Sequence, residues 1–108
     1  MAVQPIQITP SALAPAVKTT IYTVPAGARV RIDYCAWCNL DLTNTVQFSL
    51  WLGPPGPSQR ILNKTVLQGE TYLCPEVIGA LLIAGDIIQI EASAANDLYG
   101  QINGVIFT

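Results

Sequence analysis

The chain has 108 residues, of which 51% are hydrophobic and only 11% charged, with a net charge of -2 and no histidine. A chain of this length fits one domain that buries roughly 65% of its unfolded surface, enough for a core without metal or disulfides. Five Lys and Arg against seven Asp and Glu leave no basic stripe for phosphates, so neither nucleic acid nor an anionic membrane is an expected partner. The charged share is about half the usual 25%. A free monomer with so few charges would be poorly soluble, so much of its surface is expected to be covered by partners.

The first residues lack the charged and apolar regions of a secretory signal, and every apolar run is too short to cross a membrane as a helix, so use without Sec export is expected. Pro5, Pro10 and Pro15 then stand among Val3, Ile6, Ile8, Leu13 and Val17, with Lys18 the one charge. Prolines this frequent forbid a helix and favour an extended path. A disordered tail is normally polar, whereas this segment is apolar and should lie down on something. Two paths are open to it, the edge of its own sandwich or a neighbouring subunit. Residues 1–18 are therefore read as an extended proline-containing arm and residues 19–108 as the domain.

Ile21, Tyr22, Thr23 and Val24 read as a strand, and Pro25 with Gly27 as the reversal after it. Residues 28–40 alternate with a period of two. Val30, Ile32, Tyr34, Ala36, Cys38 and Leu40 fall on one face; Arg29, Arg31, Asp33, Cys35, Trp37 and Asn39 fall on the other. Cys35 and Cys38 have the C-x-x-C spacing of a redox or zinc half-site, but an offset of three puts them on opposite faces of a strand. With Cys74 the only other cysteine, they are expected to be reduced and to pack as small hydrophobes.

Asp41 to Thr45 supply turn residues, and Val46, Phe48, Leu50 and Leu52 mark the inward face of a second strand, expected to form a hairpin with the first. Pro54, Pro55, Gly56 and Pro57 make a rigid projecting loop, suited to docking without ordering cost. One or two short strands should follow around residues 59–67, where the glycosylation sequon at Asn63 is taken as chance. Gln68, Gly69 and Glu70 turn the chain into a strand over 71–74 that Pro75 ends, and residues 77–83 fit either a short strand or a helical turn. After the turn at Ala84, Gly85 and Asp86, a strand over 87–92 should bury Ile88, Ile90 and Ala92. A turn at 94–97 leads to the last strand, over 100–107. Seven or eight short strands without a helix predict an all-β fold, a single antiparallel β-sandwich of jelly-roll or immunoglobulin-like type.

Catalytic chemistry finds few candidates. Without histidine there is no Ser-His or Cys-His pair, and Gly-x-Ser-x-Gly is absent. Asp33, Asp41, Glu70, Glu76, Asp86, Glu91 and Asp97 stand mostly in or beside turns, where carboxylates cap backbone amides. No enzyme, cofactor or metal site is expected. The outward aromatics are more informative. If the hairpin forms, Trp37 and Trp51 neighbour each other on its outer face. That face is then covered by the N-terminal segment, or the inward and outward faces are exchanged, or it forms the aromatic centre of a subunit interface, or it stacks on a sugar. The few polar residues beside the two indoles disfavour the sugar.

Thr19 to Gly27, Cys38-Asn39-Leu40, the Phe48 to Gly53 run, Ala84 to Ile88 and Ala92-Ser93-Ala94 together resemble small structural proteins of tailed bacteriophages. In that group a YTVPAG start, a CN strand end and a GD before the penultimate strand recur in that order. The resemblance covers residues 19–107 and implies a non-enzymatic β-sandwich virion protein, assembled in the bacterial cytoplasm. It would serve as head decoration or cement, or as a neck or tail accessory. Its expected partners are copies of itself, with a trimer as the expected symmetry, and the major capsid protein or neck and tail proteins. The contact residues expected are Pro5, Ile6, Ile8, Pro10 and Leu13 in the arm, Trp37 and Trp51 on the outer face, and Pro54, Pro55 and Pro57 in the loop. The competing expectation is a module of a phage tail or fibre that binds a host glycan or protein.

Overall fold

Where apolar residues recur at every second position the chain runs in strands, and the computed structural model describes residues 2–56 and 59–108. Among them lie nine strands: β1 (Val3–Leu13), β2 (Thr19–Thr23), β3 (Arg29–Asn39), β4 (Val46–Gly53), β5 (Gln59–Val66), β6 (Thr71–Tyr72), β7 (Leu81–Ile83), β8 (Ile87–Ala92) and β9 (Leu98–Phe107). One sheet has the order β1-β9-β3-β6, with β7 also on β3; the other is β2-β8-β4-β5. Every pairing is antiparallel, and the two inner faces meet over Val30, Ile32, Trp37, Phe48, Leu50, Ile88, Ile90 and Ile102. The chain is an antiparallel β-sandwich, with nine strands rather than the seven or eight expected.

The added strand is β1. Val3 stands opposite Phe107 and Leu13 opposite Tyr99, so the proline-bearing segment follows the edge of its own sandwich. An edge strand tolerates Pro5 and Pro10, since half of its backbone groups need no ladder partner. The register slips twice between Gln7 and Ala12, which fits a strand interrupted by proline.

The long strand departs from strict alternation. Ile32 faces Gly104 and Tyr34 faces Asn103, so β3 spends one residue more than β9 across Asp33. This bulge reverses the phase. Val30 and Ile32 point inward before it, and Cys35, Trp37 and Asn39 point inward after it, while Tyr34 turns out to solvent. The expectation that Trp37 lies on the outer face is therefore corrected: it is fully buried, its ring 5.3 Å from that of Phe48.

The expected hairpin of β3 with β4 is corrected as well. Their connection crosses from one sheet to the other, so Trp37 and Trp51 belong to different layers. Asn39 holds this crossover. Its buried amide donates to the carbonyls of Asn44 at 2.9 Å, Val66 at 3.2 Å and Leu67 at 3.3 Å, while its Oδ1 accepts from the Asp41 amide at 3.0 Å. One side chain thus ties the end of β3 to the end of β5 in the opposite sheet.

Two glycines of β9 make room for this packing. A Cβ on Gly100 would strike the Ala36 carbonyl and lie 2.5 Å from Trp37 Cδ2; one on Gly104 would strike the Arg31 carbonyl and lie 2.8 Å from Ile8 Cδ1. The indole of Trp37 covers the bare backbone of Gly100, as large aromatics do opposite strand glycines.

Trp37→Ala should cost about 3–5 kcal/mol of unfolding free energy in urea titrations, the usual range for emptying a buried aromatic site. Asn39→Ala should cost about 1–3 kcal/mol, because the buried backbone groups it serves lose their partners. A loss under 0.5 kcal/mol for either variant (about the size of a surface change) would contradict these placements.

Candidate functional site

The residues expected to make contacts are distributed unevenly by the fold. Pro5, Pro10, Pro54 and Pro55 are exposed, as is Leu13 at 42%. Ile6 is half-buried against the core and Ile8 is inside it, so both support the sandwich from within. Trp37 is sealed in the core and is no contact residue. Trp51 is half-buried on the outer face of the second sheet. Pro57 lies outside the described residues.

The outer face of the first sheet carries an apolar strip that sequence reading missed. Direct register places Ile83, Arg29, Phe107 and Val3 in one row across β7, β3, β9 and β1, and Leu81, Arg31, Val105 and Pro5 in the next. Directly opposed residues share a face, so these eight side chains lie together. Leu81, Ile83 and Val3 are 56%, 57% and 59% exposed. Beside them Gly27, Arg29, Leu81, Phe107 and Thr108 line a shallow concavity of about 570 Å³. Residues 77–83 gave no clear alternation, so the outward pair Leu81 and Ile83 was hidden until β7 was seen to pair with β3.

Two arginines interrupt the strip. Arg31 Nε donates to Asp33 Oδ1 at 2.7 Å, and its guanidinium lies 5.8 Å from the Phe107 ring centroid. The hydrogen bond from Arg31, and then its charge, hold the Asp33 carboxyl below the usual carboxylate range.

The outer face of the second sheet is polar. Gln47 Nε2 and Ser49 Oγ donate to Asn63 Oδ1 at 2.5 and 3.3 Å, and Thr65 Oγ1 donates to Gln47 Oε1 at 2.7 Å. Trp51 stands directly opposite Gln89 and Arg60, and the Lys18 ammonium lies 4.6 Å from its ring centroid. The scarcity of polar neighbours inferred from sequence followed from the hairpin that does not form.

All three cysteines are free. Cys74 is buried, and its hydrogen bond to Cys35 and its burial push its thiol well above the ordinary range, which keeps it un-ionised and a weak nucleophile. Among the described residues no group of three or more His, Cys, Asp or Glu side chains is placed to hold a metal ion, and no helix is long and apolar enough to cross a membrane.

No protein-family model matches the chain, and a search of curated proteins returned no match. Among solved structures, the chain is similar to part of a chain from the structure of infectious bursal disease virus Gt strain, at 11% identity and a TM-score of 0.32. The alignment covers 97% of this chain and 30% of that one.

In an NMR titration the Asp33 carboxyl should titrate below the ordinary carboxylate range, and Arg31→Ala should return it there. Because the folded state lowers this pKa, the pair's stabilising effect is present above the unfolded carboxylate range and fades as pH falls through Asp33's own pKa. A normal Asp33 titration in the unaltered chain would contradict the ion pair.

Proposed function

We propose that the chain is a non-enzymatic virion structural protein of a tailed bacteriophage, one that assembles as a homo-oligomer and stabilises the particle as a capsid decoration or a neck or tail accessory. The observation that carries this reading is the apolar strip across β7, β3, β9 and β1, on a chain with only 11% charged residues. Four strands about 4.8 Å apart give a strip about 14 Å wide. The ordered turn and strand motifs by which residues 19–107 resemble phage structural proteins favour the same reading.

The mechanism is mechanical. Each copy buries its strip against a neighbouring copy or the shell and gains about 25 cal/mol per Å² of apolar area removed from water. Repeated around a closed ring, modest contacts add up through multivalency. A trimer is the proposed symmetry. Arg29, set between the apolar side chains, gives the contact polarity and favours an acidic group on the partner, while the charge of Arg31 is answered by Asp33 within the chain.

Light scattering on a sizing column should give a mass several times 11.6 kDa for the purified chain. Leu81→Lys combined with Ile83→Lys, both exposed positions, should reduce it to a monomer without loss of the folded β-spectrum. A monomer at every concentration, or an oligomer indifferent to the double substitution, would overturn this role for the strip.

A further inference from the structure

We propose that the outer face of the second sheet binds a neutral saccharide at a site centred on Trp51, Glu91, Ser49 and Asn63. These residues stand in adjacent cross-strand rows. Glu91 on β8 is opposite Ser49 on β4, which is opposite Asn63 on β5; one row away Gln89 is opposite Trp51. Strand spacing sets the span from Glu91 to Asn63 at about 10 Å, and Trp51 lies about 7 Å along β4 from Ser49. That area matches one or two pyranose rings lying flat on the sheet. Beside it, Ala16, Gln47, Ser49, Glu91, Ala92 and Ser93 line a concavity of about 270 Å³.

The chemistry of the row selects the ligand class. The network orients its members: Asn63 Oδ1 already accepts two hydrogen bonds, which aims its amide donors outward. Ser49, only 7% exposed, is fixed in the same network. Glu91 is half-buried and makes no hydrogen bond or ion pair among the described residues, leaving a carboxylate free to accept from a pair of vicinal hydroxyls. A sugar presents hydroxyls that donate and accept by turns, together with one C–H face that packs on an indole. Glu91 on one side of the face and Arg60 and Lys18 on the other give no field of single sign to favour an ionic ligand, and an extended peptide would seek a sheet edge rather than a fully paired face.

Lys18 stands where the C–H face of the sugar would rest, its ammonium over the Trp51 ring. It is exposed and reaches the ring from the chain just before β2, so it swings aside at little cost when the sugar docks. The site lies on the opposite side of the sandwich from the apolar strip. Its success or failure is independent of assembly.

The test is an NMR titration of the full chain with a panel of neutral sugars: glucose, galactose, mannose, rhamnose, N-acetylglucosamine and their short oligomers. Concentrations up to about 50 mM reveal even millimolar binding. The two indole N–H signals, assigned with Trp51→Phe, serve as probe and internal control. The expected result is a saturable shift of the Trp51 signal by at least one sugar while that of buried Trp37 stays in place. Binding should be about tenfold weaker in Glu91→Gln and in Asn63→Ala, and retained or tightened in Lys18→Ala. If no sugar moves the Trp51 signal, or if both Glu91→Gln and Asn63→Ala bind like the unaltered chain, the proposal is overturned.

Discussion

The rest of the sandwich depends on the place where β3 takes one more residue than its neighbour β9. Around Asp33 the side-chain phase reverses, and everything after it on the strand changes sides. Without that bulge, with every residue of the strand kept in strict alternation, Trp37 would stand in solvent and Tyr34 in the core. With it, the largest side chain of the chain fills the space between the sheets against Phe48 and over Gly100. Plain alternation sets Asp33 beside Arg31 on the outer face just before the phase reverses, and the pair makes a bidentate contact at 2.7 and 3.3 Å.

Asn39 completes what the bulge begins. Because the phase reverses, Asn39 also points inward, at the end of the strand where the chain leaves one sheet for the other. A buried amide is costly unless its hydrogen bonds are made, and here the partners come from the crossover and from the far end of β5. The sheets are thus joined by a polar bolt at one end and by apolar packing along the middle. The indole of Trp37 contributes its volume and its ring contact with Phe48 to that packing.

How much of this was legible in the sequence follows from which forces are local. β4 and β8 read correctly: Val46, Phe48, Leu50 and Leu52, and Ile88, Ile90 and Ala92, alternate without interruption and are all buried. The reversals at Gly27 and Gly85 were legible too, because positive φ values of 77° and 89° call for glycine. β3 was misread past Ile32 because a bulge leaves no residue signature here; Asp33 and Tyr34 fit either phase. The false hairpin has a similar origin. Five turn-forming residues after β3 serve equally well for a reversal within a sheet or a step between sheets, and the choice is made by distant partners such as Val66 and Leu98. Both surfaces singled out for function inherit these long-range decisions. The apolar strip needs β7 beside β3, and the polar row needs β4 between β8 and β5.

The two outer faces therefore differ in kind: one apolar and interrupted by arginines, the other carpeted with amides and hydroxyls around one half-buried indole. That division follows from the opposite fates of the two tryptophans. Hydrogen exchange of their indole N–H groups in the native chain measures it directly. One signal, that of Trp37, should be protected nearly to the limit of global unfolding, and the other, that of Trp51, should exchange orders of magnitude faster through local exposure. Two equally fast signals, or protection of Trp51 in place of Trp37, would mean that Trp37 does not lie between the sheets and would contradict the phase reversal at Asp33.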